Sequence, residues 1–281
     1  MSTSPDISAI TLQNRIAEYW QLQQPIFEKI YKTGMEEYLK TSPTAKLAFA
    51  CNDGCLGCID EGLSGQEHLA GSGILWEDRE DLKKHVVKAK IKKIYSHSHC
   101  GAAKLYAERH NLDVTKSDEY GMEFAKSLAD ELGILWEHLE ENRLHRPAGL
   151  HIARIIYYDA TNHFDYKLST CFPPGFEVSR GLSDKKHALE EVKICAGIIL
   201  DAKHGFGNLI DEEHPIIICP ISSSSDKVLN RSVLTEEIAN LLPSLNAEFG
   251  KKFFVTGFTA PRYNLLDKIN LQSYFNINKY I

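Results

Sequence analysis

The feature that most restricts the fold of this chain is an alternation, over about residues 45–170, of short apolar runs with longer stretches of helical spacing. Residues 46–51 form an apolar run closed by Asn52-Asp53-Gly54, which reads as a buried strand ending in a turn. Residues 68–75 are a second short apolar segment, and residues 76–90 have the charge and spacing of an amphipathic helix with an acidic first turn. A strand over 91–96, a helix over 102–110 and a long helix over 117–142 follow, the last with Phe124, Leu128, Leu132, Leu135 and Leu139 along one face. Strands over 150–158 and 166–170 close the region. Parallel neighbours need a crossover to bring the chain back, so this order predicts an α/β fold with a mostly parallel sheet flanked by helices.

The flanks are less regular. In residues 1–44, Ile16, Tyr19, Trp20, Phe27, Ile30, Tyr31, Met35 and Tyr38 recur at helical spacing, and Pro25 is expected to divide them into two helices. Residues 171–281 carry expected strands over 192–200, 215–220 and 252–256 and a helix over 234–242, an extra C-terminal α/β region. Ile91-Lys-Lys-Ile-Tyr-Ser-His97 resembles Gly250-Lys-Lys-Phe-Phe-Val-Thr256, and Ile216-Ile-Ile-Cys-Pro-Ile221 resembles the run leading into Cys51. This third segment is therefore either a degenerate repeat that has lost its ligand positions or a chance likeness between short strands.

With 281 residues, 43% of them hydrophobic, the chain can bury a sizeable core. Its formal charge of -6 is spread over mixed stretches without a dense Lys/Arg block, which argues against nucleic acid and membrane surfaces as partners. The N-terminus lacks the basic and apolar regions of a secretory signal, and no apolar run is long enough to span a bilayer. Seven cysteines is an odd number, and Cys51, Cys55, Cys58 and Cys100 fall in two Gly-containing clusters. A reducing cytoplasm and a metal suit that pattern better than disulfides.

His97-x-x-Cys100 sets one ligand at the end of an expected strand and the other at the start of the next helix, with Gly101 allowing a tight turn. Zinc needs thiolates and neutral imidazoles converging from rigid elements, and adjacent strand ends at the carboxyl edge of an open sheet provide them. Alone, the pair would read as ordinary buried loop residues; a cysteine cluster closing the preceding strand favours the metal. His99 should point away, because neighbours on a strand alternate sides. His204-Gly-Phe-Gly207 lacks a full phosphate-loop motif and reads as a turn, and Ser222 to Ser225 as a solvated loop. A rival reading comes from Cys51-x-x-x-Cys55-x-x-Cys58, the spacing of radical S-adenosylmethionine enzymes that hold a [4Fe–4S] cluster. It would leave His97 and Cys100 unemployed, and a succession of barrel strands is not evident.

Ser96-His-Ser-His-Cys-Gly-Ala102 resembles the His-x-x-Cys-Gly motif of β-class carbonic anhydrases. Ala70-Gly-Ser-Gly-Ile-Leu75 is similar to that family's Ala-Gly-Asn stretch, Cys51-Asn-Asp53 to its Cys-x-Asp motif, and Ile155-Ile-Tyr-Tyr-Asp159 to its late strand. The resemblance covers about residues 45–165. It implies a β-carbonic-anhydrase-like zinc lyase in which zinc hydroxide attacks carbon dioxide to give bicarbonate, oriented by the Asp, and a homodimer or an internal pseudo-dimer. Cys58-Ile-Asp60 has the same Cys-x-Asp form. The longer crossover left after Asp53 and the apolar run before Cys51 favour Cys51, His97 and Cys100 as zinc ligands with Asp53 as the catalytic acid partner, and Cys58 with Asp60 as the alternative. On either alignment the Arg that the family carries two residues beyond the Asp is missing: Cys55 or Gly62 stands there. A free carboxylate can close the site on the metal, unless Arg79 or another basic group replaces that Arg in space. The same chemistry would extend to carbonyl sulfide or carbon disulfide, and a closed site would leave a zinc protein without turnover.

Overall fold

A computed structural model describes residues 7–42 and 44–260, with side chains from residue 11. Two helices, α1 (Ile7–Thr33) and α2 (Met35–Lys40), open the chain. Pro25 lies inside α1, and the division falls at Gly34, whose φ of 79° suits a residue without a Cβ. Buried Arg154 holds α1 to the body, its guanidinium stacked 3.5 Å from the Trp20 ring centroid and 4.1 Å from that of Phe27.

The apolar run expected as the first strand is a 3-10 turn, Ala45–Phe49. Phe49 packs there among Phe164, Phe172 and Phe258, so burial against the C-terminal half outweighs strand propensity. The first strand is β1 (Cys55–Gly57), followed by β2 (Glu67–His68), α3 (Arg79–Lys88), β3 (Lys93–His97), α4 (Gly101–Arg109), α5 (Ser117–Leu132) and β4 (Leu135–Leu139). Asp78 caps α3 by accepting from the Glu80 and Asp81 amides. The long helix expected to reach residue 142 stops at Gly133, a left-handed C-cap with φ of 64°, which releases the chain into β4.

The remaining elements are β5 (Ile155–Asp159), β6 (Gly175–Ser179), α6 (Lys185–Ile199), β7 (Ile216–Ser223), α7 (Arg231–Phe249), β8 (Phe253–Val255) and β9 (Phe258–Ala260). The strand expected over 166–170 is a 3-10 turn, Tyr166–Leu168, and the one over 192–200 lies within α6. That helix is capped by Asp184 and buries Ala188, Val192, Cys195, Ala196 and Ile199, so its last turns are apolar enough to imitate a strand.

All the pairings are parallel, and they form two sheets, β2-β1-β3-β4 and β6-β5-β7-β8, with β9 beside the far end of β7. The second sheet repeats the strand order of the first. Position for position β3 matches β7 and β4 matches β8, so of the short sequence echoes noted above one pairs the non-equivalent β3 and β8 and the other pairs β7 with a 3-10 turn. β5 pairs with β6 and β7, which puts a strand grouped by sequence with the first region into the second sheet.

The halves meet where β2 approaches β6: the His68 amide donates to Ser179 Oγ at 2.7 Å and the Glu177 amide to the Ile59 carbonyl at 3.3 Å. One apolar core runs through both, from Ile59 and Leu63 to Phe176, Val192, Ile218 and Ile238. Among the described residues no helix is long and apolar enough to cross a membrane.

Candidate metal centre

β1 and β3 are neighbours in register, Leu56 beside Ile94, so their C-terminal ends emerge together. Cys58 directly follows β1, His97 is the last residue of β3, and Cys100 is the N-cap residue of α4. Between the last two the chain reverses through His99, whose φ is 57° and whose amide donates to Asp118 Oδ1 at 2.9 Å. His99 therefore sits in a turn, and strand alternation does not govern its direction; its side chain is exposed.

The result is a buried group, Cys58, His97 and Cys100, whose ligand atoms all lie within 4.8 Å of one another. The group can hold a metal ion. The two sulfurs are 3.9 Å apart, too far for a disulfide. Two thiolates bonded to a tetrahedral zinc at about 2.3 Å each would sit about 3.8 Å apart. The His97 ring hydrogen-bonds through Nδ1 to the Ser98 carbonyl at 2.9 Å, which places the proton on Nδ1. Nε2 is buried with no partner at hydrogen-bond geometry, and against burial the neighbouring Cys58 and Asp60 raise the ring to about 9. A buried imidazole nitrogen within 4.8 Å of two sulfurs supplies the third donor that a metal ion would need.

Backbone amides favour the charged sulfurs. The Gly71 amide donates to Cys58 Sγ at 3.1 Å, and the Cys100 thiol is lowered by its hydrogen bond with Cys58, against burial, with help from the Ala103 and Ala102 amides at the start of α4. Burial and the hydrogen bond with Cys100 push Cys58 up. Gly71 has φ of 55°, and a Cβ there would come 2.5 Å from Ile74 Cγ2, so the amide reaches the sulfur only because this residue is glycine.

Cys51 and Asp53, preferred from sequence, stand elsewhere. The Cys51 backbone is tied to His163, its amide donating to the His163 carbonyl at 3.2 Å, and burial together with Asp53 raises its thiol strongly. Asp53 is exposed and accepts the Cys55 amide at 2.8 Å, a turn leading into β1. The crossover argument failed because β1 and β2 are joined without a helix, by the loop carrying Cys58 and Asp60. Two cysteines of the iron–sulfur spacing also meet different neighbours, Cys58 the Cys100 sulfur and Cys55 the Tyr95 hydroxyl at 3.7 Å, and Cys51 is absent from the metal-capable group.

Asp60, the acid of the alternative motif, is buried beside the cluster. Its Oδ1 accepts from the Gly62 amide at 2.8 Å and from Arg146 Nε at 3.0 Å. Burial opposes its charge, but His97, Arg146 and His151 together hold the carboxyl well below the ordinary range. Both of these bonds fall on the one oxygen. Arg79, considered from sequence for this role, instead binds Ser127 and Glu131 on the surface. Sequence reasoning missed Arg146, which lies in an irregular His-Arg-Pro loop with no periodic or motif signal. It also missed Glu61, whose carboxylate takes the Ile152 amide at 2.6 Å and pairs with His151 at 3.3 Å, drawing the second half over the site.

Beside the cluster lies a cavity of about 60 Å³ bounded by Cys58, Asp60, His151, Phe176, Ile194 and Ile198. Cys58 and Asp60 come from the first half and the other four from the second. At the matching edge of the second sheet the corresponding positions carry Ala160, Ser223 and Asn230, with no thiol or imidazole among them. Comparison with protein-family models, curated proteins and solved structures finds no match for this chain.

Proposed function

We propose that Cys58, His97 and Cys100 hold a zinc ion and that the protein is a hydratase of the β-carbonic-anhydrase type, adding water to carbon dioxide to give bicarbonate. The observation that carries this reading is the Asp60–Arg146 pair beside a set of three ligands and a small cavity. Three protein ligands leave a tetrahedral metal one open position, the arrangement of catalytic sites, whereas structural sites use all four. A bound zinc ion would supply water whose pKa is lowered toward neutrality.

The chain's own residues do the rest. Arg146 Nε and the Gly62 amide occupy Oδ1 of Asp60 and keep the carboxylate charged and anchored away from the metal position. Oδ2 is the oxygen that accepts the hydrogen of the reacting water and so directs its lone pair into the cavity. Phe176 and Ile194, from the second half, exclude bulk solvent from that space. The family's Arg, absent from its usual place two residues on, is on this reading supplied by residue 146.

The repeated strand order supports a second proposal: the C-terminal half is a degenerate copy that serves as the internal partner of the first, so that one chain contains a complete site. The test is metal analysis of purified protein followed by stopped-flow hydration of carbon dioxide, with carbonyl sulfide as a second substrate. Stoichiometric zinc and turnover that vanishes in Cys58→Ser and Asp60→Asn support the reading. Zinc-loaded protein without turnover on either substrate overturns the hydratase assignment, and iron with sulfide overturns the zinc.

A further inference from the structure

Two spaces adjoin at the site, and their common boundary shows what admits a substrate. The inner cavity of about 60 Å³ touches the ligand Cys58, while the outer basin of about 540 Å³ is lined by Lys104, Glu141, Arg146, Asp201 and His204 and touches no ligand of the cluster. Four residues line both: His99, Gly101, His151 and Ile198. The neck between the spaces therefore runs through these four.

Three of them have little freedom to set its width by side-chain bulk. Gly101 has no side chain. His151 is held by Glu61 at 3.3 Å and by its own amide on the His204 carbonyl at 2.6 Å. The His99 ring is turned to solvent, 68% exposed. Ile198 is the remaining member, an apolar side chain on α6, half-buried and with no polar atoms to fix it. It faces Gly101 closely, since a Cβ at residue 101 would lie 3.7 Å from its Cδ1. Ile194, one turn earlier on the same helix face, continues the wall into the inner space.

We infer that Ile198 is the size gate of this site and that the inner cavity admits only small linear molecules of about three non-hydrogen atoms. The inference rests on a metal at the Cys58, His97 and Cys100 group. The volume decides the class: about 60 Å³ is well under half of the roughly 150 Å³ of an apolar cavity that takes a benzene ring. A five-membered ring fits the outer basin but not the inner cavity. Most of the inner wall is apolar, from Ile59, Ala102, Phe176, Ile194 and Ile198, so it discriminates by size and shape, and a small anion entering it is offset by the charge of the metal. The gate belongs to the second half of the chain, which gives that half a role in substrate selection although its own sheet edge carries no ligands.

The test uses cobalt(II)-loaded protein, whose visible bands report the metal's surroundings without turnover. Azide is the linear three-atom probe and imidazole the ring probe. In the unaltered protein azide should shift the bands and imidazole at the same concentration should not. Ile198→Ala should tighten imidazole binding about tenfold or more, and Ile198→Phe should weaken azide binding by a similar factor, with cobalt uptake unchanged in both. Ile198→Val, a change of one methylene, serves as the variant least able to disturb folding and should lie between the unaltered protein and Ile198→Ala. Normal cobalt uptake with azide and imidazole binding that does not respond to residue 198, or no azide effect in the unaltered protein, overturns the gate alone. Failure to take up cobalt, or bands without sulfur-to-metal charge transfer, overturns the metal reading and the gate with it.

Discussion

Replacing Arg146 by Met keeps most of the side chain's length and removes its charge, which isolates the ion pair with Asp60. The pair is buried, with side chains 2% and 6% exposed and Nε 3.0 Å from Oδ1. Breaking such a pair from one side leaves an uncompensated buried charge and costs about 3–5 kcal/mol. The Gly62 amide still donates to Asp60 at 2.8 Å, so the lower end, about 3 kcal/mol, is expected. Asp60→Asn should cost a comparable amount by stranding the guanidinium, whose neighbour Glu141 is 3.8 Å from Nη1. The double variant removes both charges and should recover about 1.5–3 kcal/mol relative to the sum of the singles. Urea denaturation of the four metal-free proteins measures the cycle. If the single costs add to within about 0.5 kcal/mol, the two groups are energetically independent and Arg146 does not hold Asp60 in place. In zinc-loaded protein, Arg146→Met should keep its metal and lose hydration; full activity would contradict the role given to this pair.

Glu67 is 1% exposed and is pushed up to about 8 by burial and by Asp159, with only Ser179 acting against them. A carboxyl raised on folding stabilises fully below its unfolded value near 4.5 and loses that contribution as pH rises toward 8. Glu67→Gln should therefore gain on the unaltered protein by up to about 1.4 kcal/mol per pH unit between 5 and 8, and a difference independent of pH in denaturant titrations would refute this. Gly71→Ala should withdraw the amide from Cys58 and weaken zinc binding about tenfold or more, read by competition with a chromogenic chelator, while the fold persists by circular dichroism. In the same competition assay Cys58→Ser should abolish tight zinc binding and Cys51→Ser should leave it unchanged; the reverse order would return the ligand role to Cys51.

Local pattern determined the fold class and two of the three residues of the centre. Short apolar runs alternating with helical spacing announce parallel strands because both periods are properties of the chain itself, and β3, β7, α3 and α4 lie close to where the residues put them. His97 and Cys100 were legible for the same reason: a strand end and the helix start three residues later form one local turn. Element limits set by a single residue, such as Gly133 ending α5, were harder to read because the apolar spacing continues past them. The choice of Cys58 over Cys51 was made only by tertiary structure. β1 is three residues long and exists because β2 and β3 pair with it on either side, whereas the more strand-like run before Cys51 is drawn into a 3-10 turn by aromatic residues more than a hundred positions away. Arg146 reaches Asp60 across a separation of 86 residues, and Phe176, Ile194 and Ile198 of the second half complete the cavity wall. Such contacts follow from how two sheets pack, and spacing along one chain carries no record of which distant side chain will fill a place left open nearby.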